Sequence, residues 1–366
     1  MNKLWFFFPE NDIALAHGAS HFTAPPAATA LRRSGEILPL WMASDGDLIL
    51  CHGINEAWLS MIRSTFNIGA DVWDRCDYNL APTPWGWSAA SKSIFVDEGF
   101  TENHLPDTNT LELYRELSHR RTTSRITEFV ISELPFEIYP AALEVENPET
   151  LSSIISSKAT VVIKSPWSSS GRGVRFVDSA HIGSAVNAAS GTIRKQGSVM
   201  VEGFINPHFD FALLFYCENG VAHFKGLSLF ATEASTGQYA GNIVAPQEVL
   251  YSRITEKIAS GQLETFIPIL QEAITKEIAT QYSGPVGVDM LSDNDGKMHI
   301  VETNLRYTMG FLALGMTRYV QSEALFHITK GKPSSIQEPI IKNGKLIKGS
   351  LQLTPPGGDF AFILDA

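Results

Sequence analysis

Cysteine is scarce in this chain: Cys51, Cys76 and Cys217 are the only three in 366 residues, widely spaced and without a CxxC or Cys/His ligand pattern. That argues against a disulfide framework or a cysteine zinc site, and unpaired thiols predict a reducing, cytoplasmic setting. Positive charge is the minority sign, 28 Lys and Arg against 39 Asp and Glu, for a formal net charge of −11. This balance argues against non-specific binding to nucleic acid or to an anionic membrane, although a local cluster of N–H groups, Lys and metal ion can still hold phosphate. Long apolar runs are also missing. No window approaches the ~18 apolar residues of a membrane span. The run Leu4–Phe8 is too short for a signal sequence and is closed by Pro9, Glu10 and Asp12. The 10 histidines form no ligand cluster, and neither a GxSxG nor a Cys/His nucleophile pattern stands out.

What is present is 44% hydrophobic residues, enough for a large core in about two to three domains. Apolar runs at Leu4–Phe8, Ile37–Trp41, Asp47–Cys51 and Ala70–Trp73 read as buried strands. Ala24–Gly35 reads as a helix, with Pro25 and Pro26 near its start and glycine at its end. Strands alternating with helices predict a parallel α/β sheet. Ligands collect at the carboxyl ends of such strands, which points to the segment Pro9–Gly18 (PENDIALAHG).

Further on, Ala81–Ser88 reads as a Pro/Trp-rich connector, and Thr108–Val130 as a helical pattern with Asn109 or Thr110 as its cap. A second α/β region starts near Phe136, with strands at Ala159–Lys164, Val199–Ile205, Phe211–Cys217 and Gly220–Phe230. Asn219-Gly220 and Asn343-Gly344 read as hairpin turns.

The most informative stretch is Gly287–Asn304 (GVDMLSDNDGKMHIVETN). Asp-Gly between two β-type runs predicts a hairpin with Asp295-Gly296 as a two-residue type I′ turn. That register sets Asp289 directly opposite Glu302, with Asn304 on the same face two residues on. Like charges facing each other destabilise a strand pair, so a divalent cation between them makes sense of the arrangement. Two carboxylates and an amide oxygen are hard ligands suited to Mg²⁺.

Well upstream, Val161–Val174 (VVIKSPWSSSGRGV) delivers Lys164 on an apolar strand just before a Ser/Gly loop. Glycines let backbone N–H groups approach phosphate closely, and Ser hydroxyls add donors.

Together these motifs resemble the ATP-grasp superfamily, over roughly Leu111–Leu314 and in the family's order. The resemblance implies an α/β plus α+β architecture. A pre-ATP-grasp-like parallel α/β domain is expected at about 1–105. A two-lobed ATP-grasp module follows at about 106–330, with lobes at about 106–198 and 199–330. A C-terminal hairpin and tail at about 331–366 would pack on the module. The resemblance assigns Asp289, Glu302 and Asn304 to one or two Mg²⁺, with Mn²⁺ as a substitute. Arg306 would steady the transferred phosphate or the substrate's carboxylate.

On the nucleotide side, Lys164 is assigned to the α/β-phosphates of ATP. Ser168, Ser169, Ser170, Gly171, Arg172 and Gly173 are assigned to the lid. Glu202, Gly203 and Phe204 would read the adenine edge, and Asp210 the ribose. Arg120 or Arg121 supplies an early phosphate contact, while Lys225 and Asn242 would approach the γ-phosphate or the acceptor. Gly287 stands where some peptide-ligase branches carry a basic residue, a departure from the dipeptide ligases.

The implied activity is an ADP-forming ligase that activates a small-molecule carboxylate as an acylphosphate for an amine or thiol acceptor. A phosphotransferase on the same scaffold and a non-catalytic nucleotide-binding protein are the alternatives. Pro9–Gly18 is expected at the acid or acceptor pocket by position. The oligomeric state is left open, with a homodimer as one candidate.

Overall fold

The apolar run after Asn2 is paired on both sides. Lys3–Phe6 lies between Leu48–Ile49 and Ala81–Pro84, with Asp71–Val72 beyond, in a four-stranded all-parallel sheet. The structure, a computed structural model, describes residues 1–158, 160–168, 173–232, 239–333 and 336–366. Parallel neighbours need crossover connections, and Pro26–Gly35 and Glu56–Phe66 supply two of them.

Two expectations fail here for reasons that trace to proline. Ile37–Trp41, expected as a strand, is a 3₁₀ turn over Leu38–Trp41. Pro39 near its start lacks an N–H that a first helical turn does not need, and Trp41 Nε1 donates to the Leu353 carbonyl at 2.8 Å. Conversely Ala81–Pro84, expected as a connector, is an edge strand. Ala81 and Trp85 donate to the carbonyls of Asn2 and Phe6. Pro82 and Pro84 fall on the alternate positions facing away from the ladder, where an edge tolerates them.

The largest sheet is antiparallel and eight-stranded. Its order is Met298–Asn304, Gly284–Ser292, Phe209–Glu218, Val221–Thr232, Tyr239–Val244, Ala324–Lys330, Phe360–Asp365 and Ser350–Gln352. The tail after residue 331 therefore does not merely pack on the module; two of its strands complete this sheet. One face shares a core with the parallel sheet, through Phe6, Trp41, Trp85, Tyr307, Phe326 and Phe362. The other carries Phe211, Leu213 and Phe215 under the helices Arg120–Glu133 and Gln262–Ile274. Burial on both faces explains why these strands read as continuous apolar runs.

A smaller antiparallel sheet is ordered Leu143–Val145, Val199–Gly203, Thr160–Lys164 and Val174–Asp178. Helices Pro148–Ser156 and Ile182–Gln196 close its core with Leu151, Ile155, Ala185 and Ala189. Because Val199–Gly203 pairs within this sheet, the small lobe runs past the expected edge at residue 198. The expected single helix after Pro106 breaks in two, Thr108–Leu117 and Arg120–Glu133. Asp107, rather than Asn109 or Thr110, caps the first, and His119 caps the second by accepting from Arg121 N at 3.0 Å. Among the described residues, no helix is long and apolar enough to cross a membrane.

Candidate functional site

The hairpin Gly284–Ser292/Met298–Asn304 reaches the expected pairing by an unexpected route. Asp289 does face Glu302, and Gly287 faces Asn304. The turn, however, is not the two-residue type. Gly296 N donates to the Asp293 carbonyl at 3.1 Å, and Gly296 has φ 78°, so three residues separate Asp293 from Lys297. The Asp293 carboxylate starts the turn early by accepting from the N–H groups of Asp295 and Lys297, both at 2.9 Å. The ladder then runs one residue out of step, with Met290 opposite Ile300, until a β-bulge at Val301 restores it. The bulge re-aims Glu302.

Asn304 Nδ2 donates to Asp289 Oδ2 at 3.0 Å, and Arg306 Nη2 donates to Asn304 Oδ1 at 2.9 Å. Burial first, and the charge of Glu302 second, push the Asp289 carboxyl from 3.8 up to about 7. Arg306 and Asn304 offset only part of this. Glu302 is paired with Arg120 at 2.7 Å, while burial and the facing carboxylate dominate at Asp289; hard oxygen donors of this kind fit Mg²⁺. Among the described residues no group of three His, Cys, Asp or Glu is placed to hold a metal. The hairpin reaches three candidate ligands only through the Asn304 amide.

Across the cleft, Lys164 ends its strand nearly buried, with Nζ 2.6 Å from Glu202 Oε1 and donating to the Val301 carbonyl at 3.3 Å. Strand register explains the ion pair: Lys164 faces Met200, so Glu202 is its diagonal neighbour on the same face. His299 Nε2 lies 3.3 Å from Glu202 Oε2. Burial opposes ionisation of Glu202, but Lys164 and His299 outweigh it and hold the carboxyl down at about 2. Small-lobe and large-sheet residues thus share one polar cluster. The crevice there is about 10 Å³, lined by Arg120, Thr123, Lys164, Met200, Glu202 and Val301, roughly the room of one water. A larger cavity of about 470 Å³ lies elsewhere, lined by Asp45, Phe66, Asn67, Arg318 and Gly344 among others, and includes none of the site residues expected from the sequence.

The helix break at His119 separates the two candidate arginines. Arg120, buried, donates to Glu302 Oε2 and to Ser168 Oγ, each at 2.7 Å, and also to the Ser165 carbonyl. Arg121 turns the other way, 3.0 Å from Glu144 Oε1 and bonded to the His119 ring. Only Arg120 reaches both the loop root and the hairpin.

The remaining candidates divide. Asp210 shares the sheet face of Asp289, accepts from Thr232 Oγ1 at 2.6 Å, and has its carboxyl raised by burial. Asn242 is buried with its amide committed to Ser228, Leu229 and Tyr239, so its polar atoms are already used. Lys225 is an exposed bulge residue with Nζ 5.9 Å from the Tyr216 ring centroid. Gly203 ends its strand, and Phe204 is 45% exposed against Phe176, ring centroids 5.8 Å apart. Gly173 accepts from Ser165 N at 2.9 Å. Ser169, Ser170, Gly171 and Arg172 lie outside the described residues.

The Pro9–Gly18 segment does reach the hairpin. Its helix Asn11–His17 carries Asp12, whose Oδ2 accepts from Arg306 Nε at 2.8 Å and Nη2 at 2.7 Å. His299 and Gly86 were not singled out from sequence, and Asn11 was included only as part of Pro9–Gly18. A Cβ on Gly86 would sit 2.5 Å from Asn11 Nδ2 and 2.9 Å from Arg306 Cβ. The Trp85-Gly86-Trp87 tract was a visible signal, but nothing local told which side chains it meets.

No protein-family model matches the chain, and no curated protein matches it in sequence. Solved structures do match in shape. The biotin carboxylase–β,γ-ATP complex from Campylobacter jejuni is 12% identical, with 100% of this chain and 87% of that one covered and a TM-score of 0.53. The biotin carboxylase domain of Hydrogenobacter thermophilus 2-oxoglutarate carboxylase, with MgADP, ADP and bicarbonate, is 12% identical over 86% of this chain and 75% of that one, TM-score 0.50. N5-carboxyaminoimidazole ribonucleotide synthetase from Thermus thermophilus is 14% identical over 91% of each chain, TM-score 0.50. In its fold, with a small and a large antiparallel sheet meeting at a shared polar cluster, the chain matches these structures, which is the ATP-grasp fold.

Proposed function

We propose that this chain is an ADP-forming ligase that activates a small-molecule carboxylate for attack by an amine or thiol. The observation that carries this reading is the meeting of two half-sites: the Asp289/Glu302/Asn304 face of the hairpin and the buried cations Lys164 and Arg120 from across the cleft. Asp289, Glu302 and Asn304 would hold Mg²⁺; Lys164 and Arg120 would hold nucleotide phosphate. The bound nucleotide supplies the phosphoryl group that turns a carboxylate oxygen into a leaving group. In the free chain both cations are neutralised by Glu202 and Glu302, so phosphate and metal would exchange partners with existing ion pairs instead of entering an uncompensated site.

Arg306, oriented by Asp12 and Asn304, would present its guanidinium where negative charge accumulates. Charge stabilisation and positioning of this kind are what phosphoryl transfer asks of a protein. Nucleotide complexes among the structural neighbours support the reading.

The test is an ADP-release screen with Mg·ATP across carboxylic acids crossed with amines and thiols. ADP and inorganic phosphate should form only when an acid and a nucleophile are both present. A stable phosphorylated product would show a phosphotransferase instead. Tight Mg·ATP binding with no ADP from any mixture would favour a non-catalytic protein, and wild-type turnover in folded Glu302→Ala would remove the metal assignment.

A further inference from the structure

We propose that Arg115 is a positioning residue that couples the root of the nucleotide loop to the N-terminal helix Asn11–His17, and through it to Arg306. The inference rests on the nucleotide reading above and assigns a role to a residue that contacts neither the hairpin carboxylates nor Lys164. Its basis is one guanidinium used by two distant elements. Arg115 Nε donates to the Leu15 carbonyl at 2.7 Å, in the last turn of Asn11–His17. The same group lies 4.0 Å from the centroid of the Trp167 ring. Trp167 belongs to Ser165–Ser168, the segment that Arg120 also grips.

The Trp167 contact is specific. Trp167 is 6% exposed, its Nε1 donates back to the Arg115 carbonyl at 2.9 Å, and its ring packs edge-to-face with His119, centroids 4.7 Å apart. On the other side, Gly18 follows the helix at φ 75°, and a Cβ there would sit 3.4 Å from Arg115 Nε. The contact thus closes against a glycine that needs the left-handed conformation.

Arginine suits both contacts at once, because a planar guanidinium stacks through its face while donating through its edge. A compact ammonium would have to choose. The linkage continues from Asn11–His17 through Asp12 to Arg306 and Asn304. A contiguous chain of packed and hydrogen-bonded groups therefore joins the loop that would grip phosphate to the arginine at the acceptor end. Such a chain is the physical means of coupling, which must then be measured as a response.

The experiment is hydrogen exchange on the full chain, with and without saturating Mg·ADP, followed in peptides covering Ser165–Ser168 and Asn11–Gly18. In the wild type, both regions should slow on adding Mg·ADP, the helix by about tenfold, within the range of typical coupled sites. In Arg115→Met the loop root should still slow while the helix stops responding. Trp167→Leu should give the same split and serves as an independent variant if Arg115→Met does not fold. A purely structural role would speed exchange in both states and leave the response to nucleotide intact, which would overturn the proposal. So would a wild-type helix that ignores Mg·ADP while the loop root responds. If neither region responds, the nucleotide reading falls, and this one with it.

Discussion

Replacing Asp289 by Asn should stabilise the metal-free protein while abolishing its response to Mg²⁺. The Asp289 carboxyl rises from 3.8 to about 7, through burial and then the facing charge of Glu302. A rise of about 3 units corresponds to about 4 kcal/mol. The folded pKa lies above the unfolded one, so this group's contribution is complete below about pH 4, declines as pH rises, and is lost above about pH 7. At pH 8 without metal, the wild type carries two opposed carboxylates. Asn removes one charge and keeps an oxygen to accept from Asn304 Nδ2. Solvent near this half-buried group weakens the effect, so a gain of about 2–4 kcal/mol is expected at pH 8 in EDTA, smaller by about 2–3 kcal/mol at pH 5. Urea unfolding at both pH values, with EDTA or Mg²⁺, makes the measurement. Added Mg²⁺ should stabilise the wild type only, by mass action. A variant less stable than wild type at pH 8 in EDTA, or a difference that ignores pH, would refute the electrostatic account.

Lys164→Ala should strand Glu202 in a buried site and cost about 3 kcal/mol in urea unfolding, with most of the loss restored by adding Glu202→Gln. Because Glu202 is held at about 2, below its ordinary value, its stabilisation is complete above about pH 4.5 and lost as pH falls toward 2. Glu202→Gln should flatten that acid limb in denaturation curves taken across this window. Arg120→Ala should weaken Mg·ADP binding by about thirtyfold, about 2 kcal/mol for a charge-assisted contact, whereas Arg121→Ala should leave it within about threefold; calorimetry separates them. Gly86→Ala, whose Cβ would crowd Asn11 and Arg306, should cost about 1–3 kcal/mol in thermal unfolding through overpacking.

The legible parts of this protein were those whose signal is local. Asn219-Gly220 and Asn343-Gly344 turn their hairpins with positive φ at both residues, 52° and 78°, then 50° and 71°, because that conformation is written into the dipeptide itself. Asp295-Gly296 carried the same signal and lost. The Asp293 side chain captured the turn one residue earlier, aided by Tyr139 from outside the hairpin, whose hydroxyl donates to Asp293 Oδ2 at 2.6 Å. The Asp289–Glu302 pairing survived because the bulge at Val301 compensated. The expectation was right about the pair and wrong about its cause.

By itself, then, the sequence determined most of the α/β order, the strand that ends at Lys164 and the acidic hairpin, since apolar periodicity and turn chemistry act over a few residues. Only the tertiary structure decided that Arg120 rather than Arg121 enters the cleft, that Glu202 is held between Lys164 and His299, and that Asp12 reaches Arg306. Those choices depend on helix breaks, strand register and the approach of separate lobes. They are set by which buried charges find partners when the whole chain closes, and no short window of sequence contains both members of such a pair.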